Sequence, residues 1–162
     1  MHIINNFLDE QANKILFEVI SSNQFAWYKG EIINPNTFTG NKNYFHLSHT
    51  TFLDNKIDSK HFPMLESFFF NKLNIKALIR VKVNCVWQTD KIIEHGWHTD
   101  YNYGKTAVYY VNTTNGYTAF KEGKNVEGIG NRIVIFDSTR EHSGTSCTDK
   151  DFRYVINFNY YD

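Results

Sequence analysis

The sequence predicts a mainly β protein, a double-stranded β-helix or jelly roll, with two helices in its N-terminal half packed on the sheet. Three observations carry this. Aromatic residues make up 17% of the 162 positions, fourteen Phe and ten Tyr against two Pro, a composition that suits pleated, half-buried strands better than a helical bundle. Two helical patterns come early, and after them short alternating segments follow one another without intervening helices. That order indicates an antiparallel sheet folded on itself and excludes βαβ units. No internal repeat or low-complexity linker divides the chain, so residues 1–162 are expected to form a single domain.

Taken in order, Asp9 is placed to cap a helix in which Ala12, Ile15, Leu16, Val19 and Ile20 recur at helical spacing, and Ser21-Ser22-Asn23 ends it. Residues 24–29 read as an aromatic early strand. Asn34-Pro35-Asn36 and Gly40-Asn41 mark loops around Thr37-Phe38-Thr39. His46 and His49 have no carboxylate or Cys at ligand spacing and read as part of a polar loop. Pro63 suits the first turn of a second helix, which carries Leu65, Phe68, Phe69 and Leu73 on one face. Residues 77–87 then alternate as a strand, followed by further strands over 106–111, 117–120, 132–136 and 152–161. Gly123, Gly128 and Gly130 bracket a loop between the third and fourth of these segments.

Lys plus Arg and Asp plus Glu balance at 17 each, so the whole chain lacks the basic footprint of a duplex binder and nucleic acid is a less favoured partner. No apolar run is long enough to span a bilayer, and the first residues lack the charged and apolar regions of a secretory signal. Cys85 and Cys147 have no patterned spacing and read as reduced thiols. The expected compartment is the cytoplasm. Nothing in the sequence sets the oligomeric state.

The chemistry concentrates in Glu94-His95-Gly96-Trp97-His98-Thr99-Asp100. If this stretch is extended, residues two apart share a face, so His98 and Asp100 point together while His95 points to the other side. His95 is therefore expected to be structural or to support the ligands, with Trp97 and Tyr103 flanking the pair. One imidazole and one carboxylate are two metal ligands. A second His would complete a set that leaves three coordination positions open, as non-haem Fe(II) sites require. His142, following the apolar run Ile133-Val134-Ile135-Phe136, is the best candidate.

With Arg153 eleven residues after His142, the set His98-x-Asp100, His142 and Arg153 resembles the Fe(II)- and 2-oxoglutarate-dependent oxygenases, in the branch that contains the prolyl hydroxylases. The resemblance covers roughly residues 80–162. It includes Thr106-Ala107-Val108-Tyr109-Tyr110-Val111-Asn112, similar to the family strand ending in Tyr-Leu-Asn, and Asn115-Gly116-Tyr117-Thr118-Ala119-Phe120, similar to its glycine-rich turn and Thr-x-Phe segment.

The resemblance implies Fe(II) as metal, 2-oxoglutarate as cosubstrate and dioxygen as oxidant, with His98, Asp100 and His142 as ligands. It also implies a cation for the far carboxylate of 2-oxoglutarate. Arg153 suits that task, because its planar fork matches a carboxylate and a buried anion without a partner is costly. By the same resemblance Tyr110 would hydrogen-bond that carboxylate and Thr106 would share its face. Strand alternation puts Asn157 and Asn159 on the Arg153 face, toward the cavity. The implied activity is hydroxylation of a substrate such as a peptidyl proline or another side chain, with release of succinate and CO2. Two other readings stand beside it: a nucleobase or small-molecule oxygenase with the same metal site, and a jelly-roll binding module without turnover.

Overall fold

The computed structural model describes residues 1–31 and 45–162, and the expected loops around residues 37–39 lie outside them. The elements are β1 (His2–Ile4), α1 (Glu10–Ser21), β2 (Tyr28–Glu31), β3 (Phe45–Leu53), β4 (Lys56–Ile57), α2 (Phe62–Leu73), β5 (Ala77–Trp87), β6 (Lys105–Tyr110), β7 (Tyr117–Phe120), β8 (Asn125–Glu127), β9 (Arg132–Asp137), β10 (His142–Gly144) and β11 (Phe152–Tyr161).

Local chemistry sets the two helices. The Asp9 carboxylate accepts the Ala12 N–H at 2.8 Å and caps α1, which buries Ala12, Leu16 and Ile20 as one stripe. Pro63 lies in the first turn of α2, where its missing N–H is no loss, and Asn74 closes the helix in the left-handed region at φ 53°. Phe62, Leu65, Phe69 and Leu73 form its buried face.

The strands form two antiparallel sheets. The larger has the order β1-β9-β6-β11-β5-β3-β2, with β4 paired to β3, and the smaller has the order β10-β7-β8. Alternation along the central strands separates two cores. Val81, Val83, Ala107, Tyr109, Ile133, Ile156 and Phe158 face the helices and pack with Leu16, Ile20, Leu65 and Phe69. Val108, Tyr110, Val134, Phe136 and Val155 face the smaller sheet and pack with Phe120 and Val126. This is the expected double-stranded β-helix with two helices on the outer face of its larger sheet.

Several local expectations are corrected. The early strand starts only at Tyr28. The glycine-bracketed loop contains β8, paired to β7. His46 and His49 belong to a nine-residue strand, β3, instead of a polar loop. Its sequence hides this, because one of its faces is polar. His49 is buried, with Nδ1 2.6 Å from the Ala26 carbonyl and Nε2 2.7 Å from Ser59 Oγ, which accounts for it structurally. Cys85 and Cys147 are both buried and free. Among the described residues no helix is long and apolar enough to cross a membrane.

Phe69 ties the layers together: its ring centroid lies 4.6 Å from Phe158, 5.0 Å from Tyr109 and 5.8 Å from Phe7. Phe69→Ala is expected to destabilise the fold by about 3–5 kcal/mol. Urea unfolding measures this, and a loss below about 1 kcal/mol would mean that α2 is not anchored here.

Candidate metal centre and cavity

Residues 94–100 are not a regular strand; they are held by isolated bridges, Glu94 to Thr145 and His98 to His142. The second bridge is reciprocal. His98 N–H donates to the His142 carbonyl at 3.0 Å and His142 N–H to the His98 carbonyl at 2.9 Å. Opposed residues of such a pair project to the same side, and the two imidazole centroids lie 4.5 Å apart.

Asp100 completes the group. One ligand atom from each of His98, Asp100 and His142 lies within 4.8 Å of the others, with His98 Nε2 4.0 Å from Asp100 Oδ1 and His142 Nε2 3.9 Å from Asp100 Oδ2. Each ring places Nδ1 3.0 Å from a backbone carbonyl, of Gly96 for His98 and of Arg140 for His142. A carbonyl only accepts, so Nδ1 carries the proton and Nε2 keeps its lone pair for a metal. Burial pushes the His142 imidazole toward its neutral, ligating form, against a partial opposing pull from Asp100.

The Asp100 carboxylate is oriented by three donors. Arg80 Nη2 donates to Oδ1 at 3.1 Å, and Thr106 Oγ1 and Asn159 Nδ2 donate to Oδ2 at 2.9 and 3.0 Å. Burial alone would raise its pKa. The Arg80 guanidinium, then His142, and the bonds from Asn159 and Thr106 outweigh burial and hold the carboxyl below its usual range, so it is ionised.

The three ligand candidates open onto a cavity of about 150 Å³ that is also lined by Arg153, Asn157, Thr118, His95, His46, Arg80 and Lys82. Arg153 is 3% exposed. Its described contacts are one Nη2 bond to the Tyr117 carbonyl at 3.3 Å and the Tyr110 ring at 5.6 Å, and its Nε has no partner. Asn157 Oδ1 is likewise buried without a partner. Burial works against the Arg153 charge, yet a guanidinium does not deprotonate in proteins. A buried cation that lines a cavity and meets no carboxylate among the described residues suits the carboxylate of an anionic ligand. Gly116 makes room for it, since a Cβ there would stand 2.7 Å from Arg153 Cδ and 2.6 Å from the Ser146 carbonyl oxygen.

The structure gives two of the expected cosubstrate contacts other partners. The Tyr110 hydroxyl donates to Thr118 Oγ1 at 2.8 Å, and Thr118, in place of Tyr110, lines the cavity. The Thr106 hydroxyl is spent on Asp100, beside Ser138 at 2.9 Å, and orients a ligand candidate. His95 is a correction of direction. Because the stretch is irregular, the two-residue period does not apply, and His95 lines the same cavity as His98. Burial, and then the charges of Arg153, His46 and His98, push it down to about 3, so it is neutral. His46 reaches the cavity from β3 and is pushed down to about 4 by burial and Lys82, with Asn84 opposing.

Trp97 lies under the Lys121 ammonium at 5.2 Å, and Tyr103 stacks on Tyr161 at 5.7 Å. Arg80, Lys82, Thr118 and His46 escaped the sequence reading. The alternation of 80, 82 and 84 with Val81 and Val83 was a usable signal for the first two.

The chain matches no family model and no curated protein, and its likeness to solved structures is one of shape. A prolyl hydroxylase from Trichoplax adhaerens, solved with a peptide fragment of the hypoxia inducible factor oxygen degradation domain, superposes with a TM-score of 0.69 at 19% identity, over 99% of this chain and 83% of that one. The epimerase SnoN, solved with Fe3+, alpha ketoglutarate and nogalamycin RO, gives 0.66 at 11% identity over 99% and 78%. A 2OG-Fe(II) oxygenase-family oxidoreductase from Burkholderia pseudomallei gives 0.64 at 10% identity over 98% and 82%. This chain shares the fold of these 2-oxoglutarate- and Fe(II)-dependent oxygenases, the prolyl hydroxylase among them.

Proposed function

We propose that the chain is an Fe(II)- and 2-oxoglutarate-dependent dioxygenase that hydroxylates a peptide side chain or a small molecule. One observation carries the reading: His98, Asp100 and His142 converge on the cavity that is lined by the buried guanidinium of Arg153, which has no carboxylate partner among the described residues. Two His and one carboxylate are the donor set that non-haem Fe(II) uses with positions left open. Fe(II) with 2-oxoglutarate and dioxygen would supply hydroxylation, releasing succinate and CO2.

The protein's own residues bind and orient. His98 and His142 present Nε2 because their Nδ1 protons are held by backbone carbonyls. Asp100 is kept anionic by Arg80, Thr106 and Asn159. Arg153 meets the far carboxylate of 2-oxoglutarate, with the Thr118 hydroxyl, relayed to Tyr110, and Asn157 lining the same cavity. The peptide-bound prolyl hydroxylase and the nogalamycin epimerase share this fold, so a peptide and a small molecule are both compatible with it. The donor set and the buried Arg153 argue against an inert module.

Purified protein with Fe(II) and 2-oxoglutarate should form succinate slowly even without a second substrate. Asp100→Ala should lose both succinate formation and Mn(II) binding in calorimetry. Wild-type affinity for Mn(II) in that variant would refute the reading. Arg153→Met should weaken 2-oxoglutarate binding by about 30-fold or more, the scale expected when one partner of a buried charge pair is removed, while Mn(II) affinity stays within about twofold. Without ligands the same variant should be at least as stable as wild type to urea, because it removes a buried cation that has no carboxylate partner. A clear loss of stability would show Arg153 to be a structural residue.

A further inference from the structure

We infer that the substrate of this cavity is an anion whose carboxylate or phosphate is received by Lys82; the inference rests on the oxygenase reading above. The cavity wall carries three basic side chains, Arg80, Lys82 and Arg153, against one carboxylate, Asp100. A divalent metal and a dianionic 2-oxoglutarate cancel each other, so loading the site leaves that surplus untouched. The histidines do not add to it, since His46 and His95 are held neutral.

The three cations are not equivalent. Arg80 is committed, 3.1 Å from Asp100 Oδ1, 3.0 Å from Asn159 Oδ1 and 5.5 Å from the Tyr101 ring centroid. Arg153 is the cation for 2-oxoglutarate. Lys82 has no ion pair among the described residues. It stands on the inner face of β5, with Thr50 of β3 and Asn157 of β11 as its cross-strand neighbours. Residues in such positions share a face, so Lys82 and Asn157 line the same side of the cavity, and the Asn157 amide can turn its Nδ2 donor to an anion held there. Burial and the neighbouring Arg80 disfavour the Lys82 charge, and Asp100 supports it only in part. A compact anionic group there relieves both the surplus and the crowding. It would come from a free organic acid or from an acidic or phosphorylated side chain of a peptide.

The test loads wild type, Lys82→Met and Lys82→Arg with Mn(II) and N-oxalylglycine, an unreactive 2-oxoglutarate analogue, and follows further ligands by calorimetry. One arm uses inorganic phosphate and the free pairs glutamate and glutamine, aspartate and asparagine, and phosphoserine and serine. The other uses capped peptides carrying the same side chains. At least one anion should bind loaded wild type about tenfold more tightly than its neutral partner. Lys82→Met should lose that preference, Lys82→Arg should keep most of it, and N-oxalylglycine affinity should change less than about twofold in both.

The arm that responds identifies the source as free acid or peptide. If no anion, phosphate included, is preferred by wild type that binds N-oxalylglycine normally, the inference fails and the oxygenase reading stands. An equal loss of N-oxalylglycine affinity in Lys82→Met would assign Lys82 to the cosubstrate and overturn the inference. Wild type that does not bind N-oxalylglycine would bring down both readings.

Discussion

The reciprocal backbone pair between His98 and His142 is the constraint on which the site depends. Two hydrogen bonds of 2.9 and 3.0 Å join segments forty-four positions apart and put their imidazoles side by side. Neither segment could do this alone, since the first is irregular and the second is a three-residue strand. The neighbouring Glu94 to Thr145 bridge and the Ser143 hydroxyl bonded to the His95 carbonyl at 2.7 Å keep the two segments aligned. The tautomers follow from the same backbone, because the carbonyls of Gly96 and Arg140 lie two residues before the rings that they fix.

Around this pair the electrostatics is arranged in a chain. Arg80 neutralises Asp100, Asn159 donates to both Asp100 and Thr106, and Thr106 meets Ser138 on β9's trailing turn. A carboxylate with 4% of its side chain exposed would be a poor anion without these donors. With them it is a rigid one, held in position before any metal arrives. Arg153 is the opposite case, a charge with a single backbone hydrogen bond, and the contrast separates a group that is finished by the protein from one that waits for a ligand.

Much of this was legible in the residues. The alternation of 77–87, 117–120 and 152–161 matched the strand bounds, because each buries an apolar row against a neighbour. The ligand candidates could be read because His-x-Asp, a distal His and an Arg occur in a telling order. β3 was hidden, since His46, Ser48 and Thr50 form a polar face toward the cavity side and the usual apolar signature is diluted. His95 turns to the same cavity as His98 because residues 94–100 have no regular two-residue period. Tyr110 and Thr106 lie on the expected strand face, but the sequence does not show which neighbours their hydroxyls meet. Each is taken by a neighbour, Thr118 in one case and Asp100 in the other.

The split of β5 and β11 into a helix-facing row and a cavity-facing row has a consequence for how such a protein can change over generations. On the helix side cohesion resides in Val81, Val83, Ile156 and Phe158, while positions 80, 82, 84, 153 and 157 line the cavity. The two sets interleave residue by residue yet point to opposite faces of the sheet, so an exchange in one leaves the side-chain partners of the other in place. Such a scaffold can change what its cavity admits while the helix-side packing that holds the sheet is kept.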